Sequence, residues 1–134
     1  MLKYLLDTNI VIHTMKQRPQ QVKRRFKQHD GQMSMSAVTL GELVFGAEHS
    51  QQVERNLADI EAMAARMEVL PFDSRAAYQF GQIRADLSSR GQPIGPYDMM
   101  IAGQARAAGL VLVTNNIKEF SKVPGLLLEN WAEA

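Results

Sequence analysis

Short apolar runs alternate with longer amphipathic stretches along the whole chain. Tyr4-Leu5-Leu6 reads as a buried strand that Asp7 ends. Thr8 or Asn9 is placed to cap a helix running to Met15 or Lys16, and Pro19 suits the start of a second helix to about Gln28. Asp30-Gly31 makes a turn, Met33-Ser34-Met35 a second strand, and Ser36 the cap of a helix over Ala37–Glu48 with Val38, Leu43, Val44 and Ala47 on one face. Residues 50–66 read as a long helix with Val53, Leu57, Ile60 and Ala64 on one side. Val69-Leu70 before Pro71 is a third strand. Asp73 or Ser74 caps a helix to about Ser89, with Ala77, Phe80, Ile83, Ala85 and Leu87 as its apolar surface. A loop over 91–95 leads to a helix that begins near Pro96 and stops before Gly109. Residues 110–113, Leu-Val-Leu-Val, form the clearest buried strand. Asn116 opens a helical turn through Phe120, and 126–128 are a last strand.

Strands that alternate with helices predict an α/β fold, with a mostly parallel sheet covered by helices on both faces. No repeat, linker or low-complexity tract divides the 134 residues, so a single domain over 1–134 is expected. Composition changes this little: 46% hydrophobic residues argue against disorder. Cysteine is absent, which excludes disulfides and thiolate metal sites and suits a cytoplasmic location. The apolar run before Asp7 is too short for a signal peptide or membrane span. The net charge of +1 announces no polyanionic partner, but Lys16, Arg18, Lys23, Arg24, Arg25 and Lys27 crowd into a segment free of acids. That run is either a solvated helix face or a phosphate-contacting surface.

Ligands of open parallel sheets bind beyond the carboxyl ends of the strands. Two segments bring polar residues there: Asp7-Thr8-Asn9 and Thr114-Asn115-Asn116. An acid directly after a buried strand is costly unless it is paired or used, although Asp7 also suits a helix cap. Glu42 sits inside an otherwise apolar helical stretch, where Thr39-x-x-Glu42 also fits a capping box. Asp98 follows Gly95-Pro96-Tyr97 at a helix start, where an acid favours the helix dipole. Together the three acids meet one need. Hard divalent cations such as Mg²⁺ or Mn²⁺ prefer oxygen ligands, and a bound cation neutralises phosphodiester charge and acidifies water. No HExxH pair, phosphate-binding loop or nucleophile elbow competes, and His13, His29 and His49 are expected at the surface.

The same segments resemble a known family. Leu5-Leu6-Asp7-Thr8-Asn9-Ile10-Val11-Ile12 resembles the opening motif of PIN-domain nucleases. The segment from Ser36 to Gly46, with Glu42 inside it, resembles their second motif, and Ile94-Gly95-Pro96-Tyr97-Asp98-Met99-Met100-Ile101-Ala102 their third. Residues 112–120, with Thr114, Asn116 and Glu119, resemble the fourth. Order and spacing together are similar to the VapC-like toxins of bacterial toxin–antitoxin modules, especially the enteric type. The resemblance implies a three-layer α/β/α sandwich and a Mg²⁺- or Mn²⁺-dependent endoribonuclease. It further implies cleavage of tRNA, for the enteric type the initiator tRNA in its anticodon loop, and hence inhibition of translation. It implies a VapB-like antitoxin, a homodimer, operator DNA contacted only through the antitoxin complex, and no membrane.

Carried over by position, Asp7, Glu42 and Asp98 are the core acids. Asn116 stands where the family often has Asp, and Glu119 falls where many relatives carry an acid, so Glu119 either supplies the missing charge or supports its helix. Thr8, Asn9 and Thr114 are expected to orient carboxylates or water. Lys16, Arg18, Arg24 and Arg84 are candidates for steering the RNA backbone. Two other readings stay open. An aspartyl-phosphate phosphatase shares the strand-Asp pattern but needs a second Asp where Asn9 stands. A non-catalytic RNA- or partner-binding domain is favoured by Asn116.

Overall fold

A computed structural model describes residues 1–16 and 19–132. Five strands form one parallel sheet: β1 (Tyr4–Leu6), β2 (Met33–Ser36), β3 (Glu68–Leu70), β4 (Val111–Val113) and β5 (Leu128–Glu129), in the order β3-β2-β1-β4-β5. The connecting helices are α1 (Thr8–Met15), α2 (Gln20–Gln28), α3 (Ala37–Glu48), α4 (Val53–Ala64), α5 (Ser74–Ser89), α6 (Pro96–Ala108) and α7 (Ile117–Phe120). The chain runs outward from β1 to β3, then crosses back to lay β4 on the other side of β1. The strand order reverses between β1 and β4, and in such sheets that junction opens a crevice at the carboxyl edge.

Alternation along the strands divides the core into two layers. Tyr4, Leu6, Met33, Met35 and Val113 face α1 to α4 through Ile10, Val11, Phe26, Leu43 and Ile60. Leu5 and Leu112 face the other way, onto Ile83, Leu87, Ile101, Ala105 and Phe120 of α5 to α7. Strands covered on both faces read as unbroken apolar runs, as Tyr4-Leu5-Leu6 does. The expected α/β sandwich is therefore the observed one.

Several boundaries and faces differ from expectation, each for a local reason. Asp7, not Thr8 or Asn9, caps α1: its Oδ1 accepts the Ile10 N–H at 2.9 Å. The helix expected from Ser50 begins at Val53, because the Ser50 hydroxyl donates to the Ala47 carbonyl at 2.6 Å and accepts Asn56 Nδ2. The buried face of α3 is Thr39, Leu43 and Ala47, while Val38 and Val44 are half-buried. On α5 the buried positions are Ala76, Ile83 and Leu87, and Ala77 and Ala85 face solvent. The last strand falls at Leu128–Glu129, in register with Leu112 and Val113, so Leu127 is exposed. His29 is not a surface residue: it lies between Tyr4 and Trp131, at ring distances of 4.6 and 5.2 Å.

Helices α5 and α6 pack closely because Gly103 has no side chain. A Cβ there would lie 2.8 Å from the Phe80 nitrogen and 3.1 Å from the Ala76 carbonyl oxygen. Both obstacles are backbone, so the helices must move apart. Gly103→Ala is therefore expected to destabilise by at least about 1–3 kcal/mol in urea unfolding. Gly81→Ala on α5 meets nothing within 4 Å and is expected to stabilise by about 0.5–1 kcal/mol.

Candidate active site

The crevice at the strand reversal is built from the ends of β1 and β4, the start of α6 and the interior of α3. At the end of β1, Asp7 is 4% exposed. Its backbone N–H donates to the Val113 carbonyl at 3.0 Å, which ties it to β4. Beyond β4, the fully buried Thr114 faces the Asp7 carboxylate and its hydroxyl accepts the Asn116 N–H at 2.9 Å. Glu42 projects from the interior of α3. Ser36 is the true cap of that helix, accepting the Val38 N–H, so Glu42 belongs to no capping box. Instead the Thr8 hydroxyl, from α1, donates to Glu42 Oε1 at 2.7 Å and lies 3.2 Å from Thr39 Oγ1. Asp98 stands in the first turn of α6, where Gly95 is the cap residue and Pro96 occupies an N-terminal position that needs no donor.

The electrostatics couple these acids. Burial pushes the Asp7 carboxyl up from 3.8 to about 6; the Thr114 hydroxyl and the Ile10 amide oppose this, and the charges of Asp98 and Glu42 add to it. Asp98 is also raised, first by burial and then by Glu42 and Glu119. The Asp98–Glu119 interaction places α7 at the same site. Among the described residues, the ion pairs of the chain are Arg90–Asp86 and Lys122–Glu119, so Asp7, Glu42 and Asp98 have no cationic partner. One buried and two half-buried carboxylates that repel one another have the charge of a cation site.

The remaining candidates divide. Thr8 and Thr114 contact the acids, whereas Asn9 is exposed and makes no hydrogen bond to them. Asn116 is half-buried at the start of α7, and its side chain makes no hydrogen bond among the described residues. Lys16 ends α1, the opposite end of the helix from Asp7, and Arg24 is exposed on α2. Arg84 lines a groove with Pro93, Pro96 and Met99 that borders the α6 N-terminus. Arg18 lies outside the described residues. Sequence reasoning missed Thr39, which is fully buried beside Thr8. Its position one turn before Glu42 was the available signal, but that pairing read as a cap.

Comparison with known proteins fits this geometry. The PIN domain profile matches residues 4–126. The chain belongs to the PIN-domain family. It is 54% identical over 132 residues to a Shigella flexneri protein named tRNA(fMet)-specific endonuclease VapC, covering 98% of this chain and all of that one. A Haemophilus influenzae protein named Ribonuclease VapC2 is 48% identical over 131 residues, covering 98% of this chain and 99% of that one. The fold superposes on a chain of the DNA-bound VapBC crystal structure from Salmonella typhimurium with a TM-score of 0.94 at 50% identity, covering 98% and 99% of the two chains. A promoter-DNA-bound VapBC2 structure from Rickettsia felis gives 0.91 at 32% identity, with 97% and 99% coverage.

PIN-domain ribonucleases are in general divalent-metal dependent. The residues here fit such an ion: all donors are hard oxygens and their charge is uncompensated. Among the described residues no three acidic or histidine side chains converge enough to hold an ion alone.

The buried charge has a measurable consequence. Below about pH 3 the folded and unfolded chains both carry the Asp7 proton. As pH rises toward 6, the unfolded chain loses its proton first, so stability falls by about 3 kcal/mol across that window. Asp7→Asn keeps a good cap while removing the charge. In urea unfolding with chelator, the variant is expected to be about 1–3 kcal/mol more stable than wild type at pH 7, and equal to it below about pH 3. A wild type as stable as the variant at pH 7 would mean that the Asp7 charge is compensated.

Proposed function

We propose that this chain is the toxin of a toxin–antitoxin pair, an endoribonuclease that cuts the initiator tRNA in its anticodon loop and so blocks translation. The observation that carries this reading is the uncompensated Asp7–Glu42–Asp98 crevice, set in a fold 54% identical to a tRNA(fMet)-specific endonuclease. Mg²⁺ or Mn²⁺ is the cofactor, with Asp7 and Asp98 as ligands. When bound, the ion neutralises charge on the scissile phosphodiester and lowers the pKa of a coordinated water.

The chain's own residues hold and orient. Thr114 keeps Asp7 in place, and its hydroxyl shifts the buried carboxyl toward the ionised form that a cation needs. Thr8 fixes one oxygen of Glu42 and leaves the other for water or the ion. Glu119 adds negative charge facing Asp98, in part offset by Lys122 at 3.5 Å. Asn116 contributes an amide where a fourth carboxylate would stand. In the net reaction the water oxygen bonds to phosphorus, one P–O ester bond breaks, and the water's proton ends on the leaving oxygen. Arg84, Lys16 and Arg24 are candidate contacts for the RNA backbone.

The partners follow from the same relationship. A VapB-like antitoxin binds the toxin, operator DNA is reached through that complex, and the toxin is a homodimer acting in the cytoplasm as one domain. The superposition on the DNA-bound VapBC structures supports the antitoxin and operator parts of this reading. No helix among the described residues is long and apolar enough to cross a membrane.

Digestion of a total tRNA pool with and without Mg²⁺ or Mn²⁺ is the direct test. Asp7→Asn and Asp98→Asn are each expected to lower cleavage by about 100-fold or more and to abolish growth arrest on expression without antitoxin. A folded Asp7→Asn that still cuts RNA overturns the assignment. Retained tRNA binding with no metal-dependent cleavage by wild type would instead favour a non-catalytic RNA-binding domain. Asn116→Asp is expected to tighten Mn²⁺ binding about tenfold in calorimetry, and no change would set Asn116 outside the site.

A further inference from the structure

Beside the crevice, α3 and α6 leave between them an open groove of about 650 Å³. Val38, Gly41, Glu42, Phe45, Tyr97 and Met100 line it. Its size is that of a small-ligand site. Phe45 is 70% exposed and Tyr97 56% exposed, an uncommon state for two large side chains in one place. Neither is far from the acids: Phe45 lies one helical turn after Glu42, and Tyr97 directly precedes Asp98. One face of the Phe45 ring is already covered by His49, with ring centroids 5.6 Å apart and planes at 9°. That stack orients the ring as a platform, and most of the side chain is open to solvent.

We infer that this groove is a base-binding subsite: an unpaired nucleobase next to the scissile phosphate stacks on Phe45 and Tyr97. The inference rests on the ribonuclease reading above and deepens it. Two observations and one general property of nucleobases select a base over other occupants. The groove shares Glu42 with the crevice, so whatever fills it is continuous with a substrate bound there. Its lining holds no Lys or Arg and one carboxylate, which repels a backbone phosphate and leaves an uncharged, flat group as the fitting one. Every base has a π-face, and aromatic platforms are the general means by which proteins hold splayed-out single-stranded bases. A looped substrate supplies such a base, whereas a paired stem does not.

The test uses the full-length protein and a synthetic anticodon stem-loop of initiator tRNA, once wild type is shown to cut it with Mg²⁺ or Mn²⁺. If wild type cuts neither this hairpin nor a tRNA pool, the ribonuclease reading fails first. Given cleavage, each nucleotide flanking the cut is replaced in turn by an abasic ribose. At one flanking position wild type is expected to lose on the order of 5- to 100-fold in kcat/KM, the loss of one base–aromatic stack. Phe45→Ala is expected to lose a similar factor on the intact hairpin and nothing further on the abasic one, with Phe45→Trp restoring cleavage. With 2-aminopurine at that position and chelator present, wild type is expected to change the probe's fluorescence on binding, and Phe45→Ala to leave it unchanged. Intact-hairpin cleavage by Phe45→Ala and Tyr97→Leu equal to wild type overturns the inference. So does an abasic penalty that persists undiminished in both variants. Unchanged cleavage with weakened self-association or antitoxin binding would overturn it in favour of a protein occupant.

Discussion

Everything at the carboxyl edge of the sheet depends on the burial of one uncompensated carboxylate, that of Asp7. Its backbone N–H closes β1 onto β4 through Val113, and its side chain caps α1. The residue is thus held by the fold at both its backbone and its side chain and cannot withdraw into solvent when ionised. The charge is kept in place by the Thr114 hydroxyl and the first turn of α1, which soften the penalty of burial without removing it. A site of this kind is destabilising when empty at neutral pH and is relieved by a cation. Strained electrostatics at functional positions are the usual signature of a binding site, and among the described residues no ion pair, the common alternative cause, is made by Asp7.

The other acids reach Asp7 through packing. Glu42 lies at its depth in α3 because Ser36 starts the helix, and it is turned to the site because Thr39, Leu43 and Ala47 take the buried face. Thr8 then latches α1 to α3. Asp98 is delivered by α6, whose position over the sheet is set by the close approach of Gly103 to the α5 backbone. A residue far from the chemistry therefore determines where one carboxylate stands. Where α6 faces α3 instead, Phe45 and Tyr97 stand exposed on the rim of the groove between the two helices.

Much of this was legible in the chain, and the reasons differ by residue. Apolar triplets ended by polar residues located β1 and β4, because strands covered on both faces leave no polar alternation to confuse. Glycine and serine punctuation placed the ends of α3 and α6, since the αL conformation at Gly109 and the cap at Ser36 are local needs. Helix faces were harder to read. On α5, Ala77 and Ala85 are apolar but exposed, because alanine is small enough to sit in water at little cost while Ala76 is the residue that meets α6. His29 looked like a surface residue until the chain folded Trp131 back against it.

By itself, the sequence singled out the candidate groups for the chemistry: Asp7 after a strand, Glu42 within an apolar helix, Asp98 after Gly95-Pro96, and an amide at Asn116. Motif spacing also settled the family, since order along a chain is a one-dimensional property. Only the tertiary structure decided that Asp7 is the cap of α1, that Thr39 and Thr114 support the acids, and that Glu119 shares their field. It alone set two exposed aromatics beside them. Burial, mutual repulsion and shared grooves depend on distances between elements far apart in sequence, and those distances exist only once the strands have paired and α6 has seated on α5.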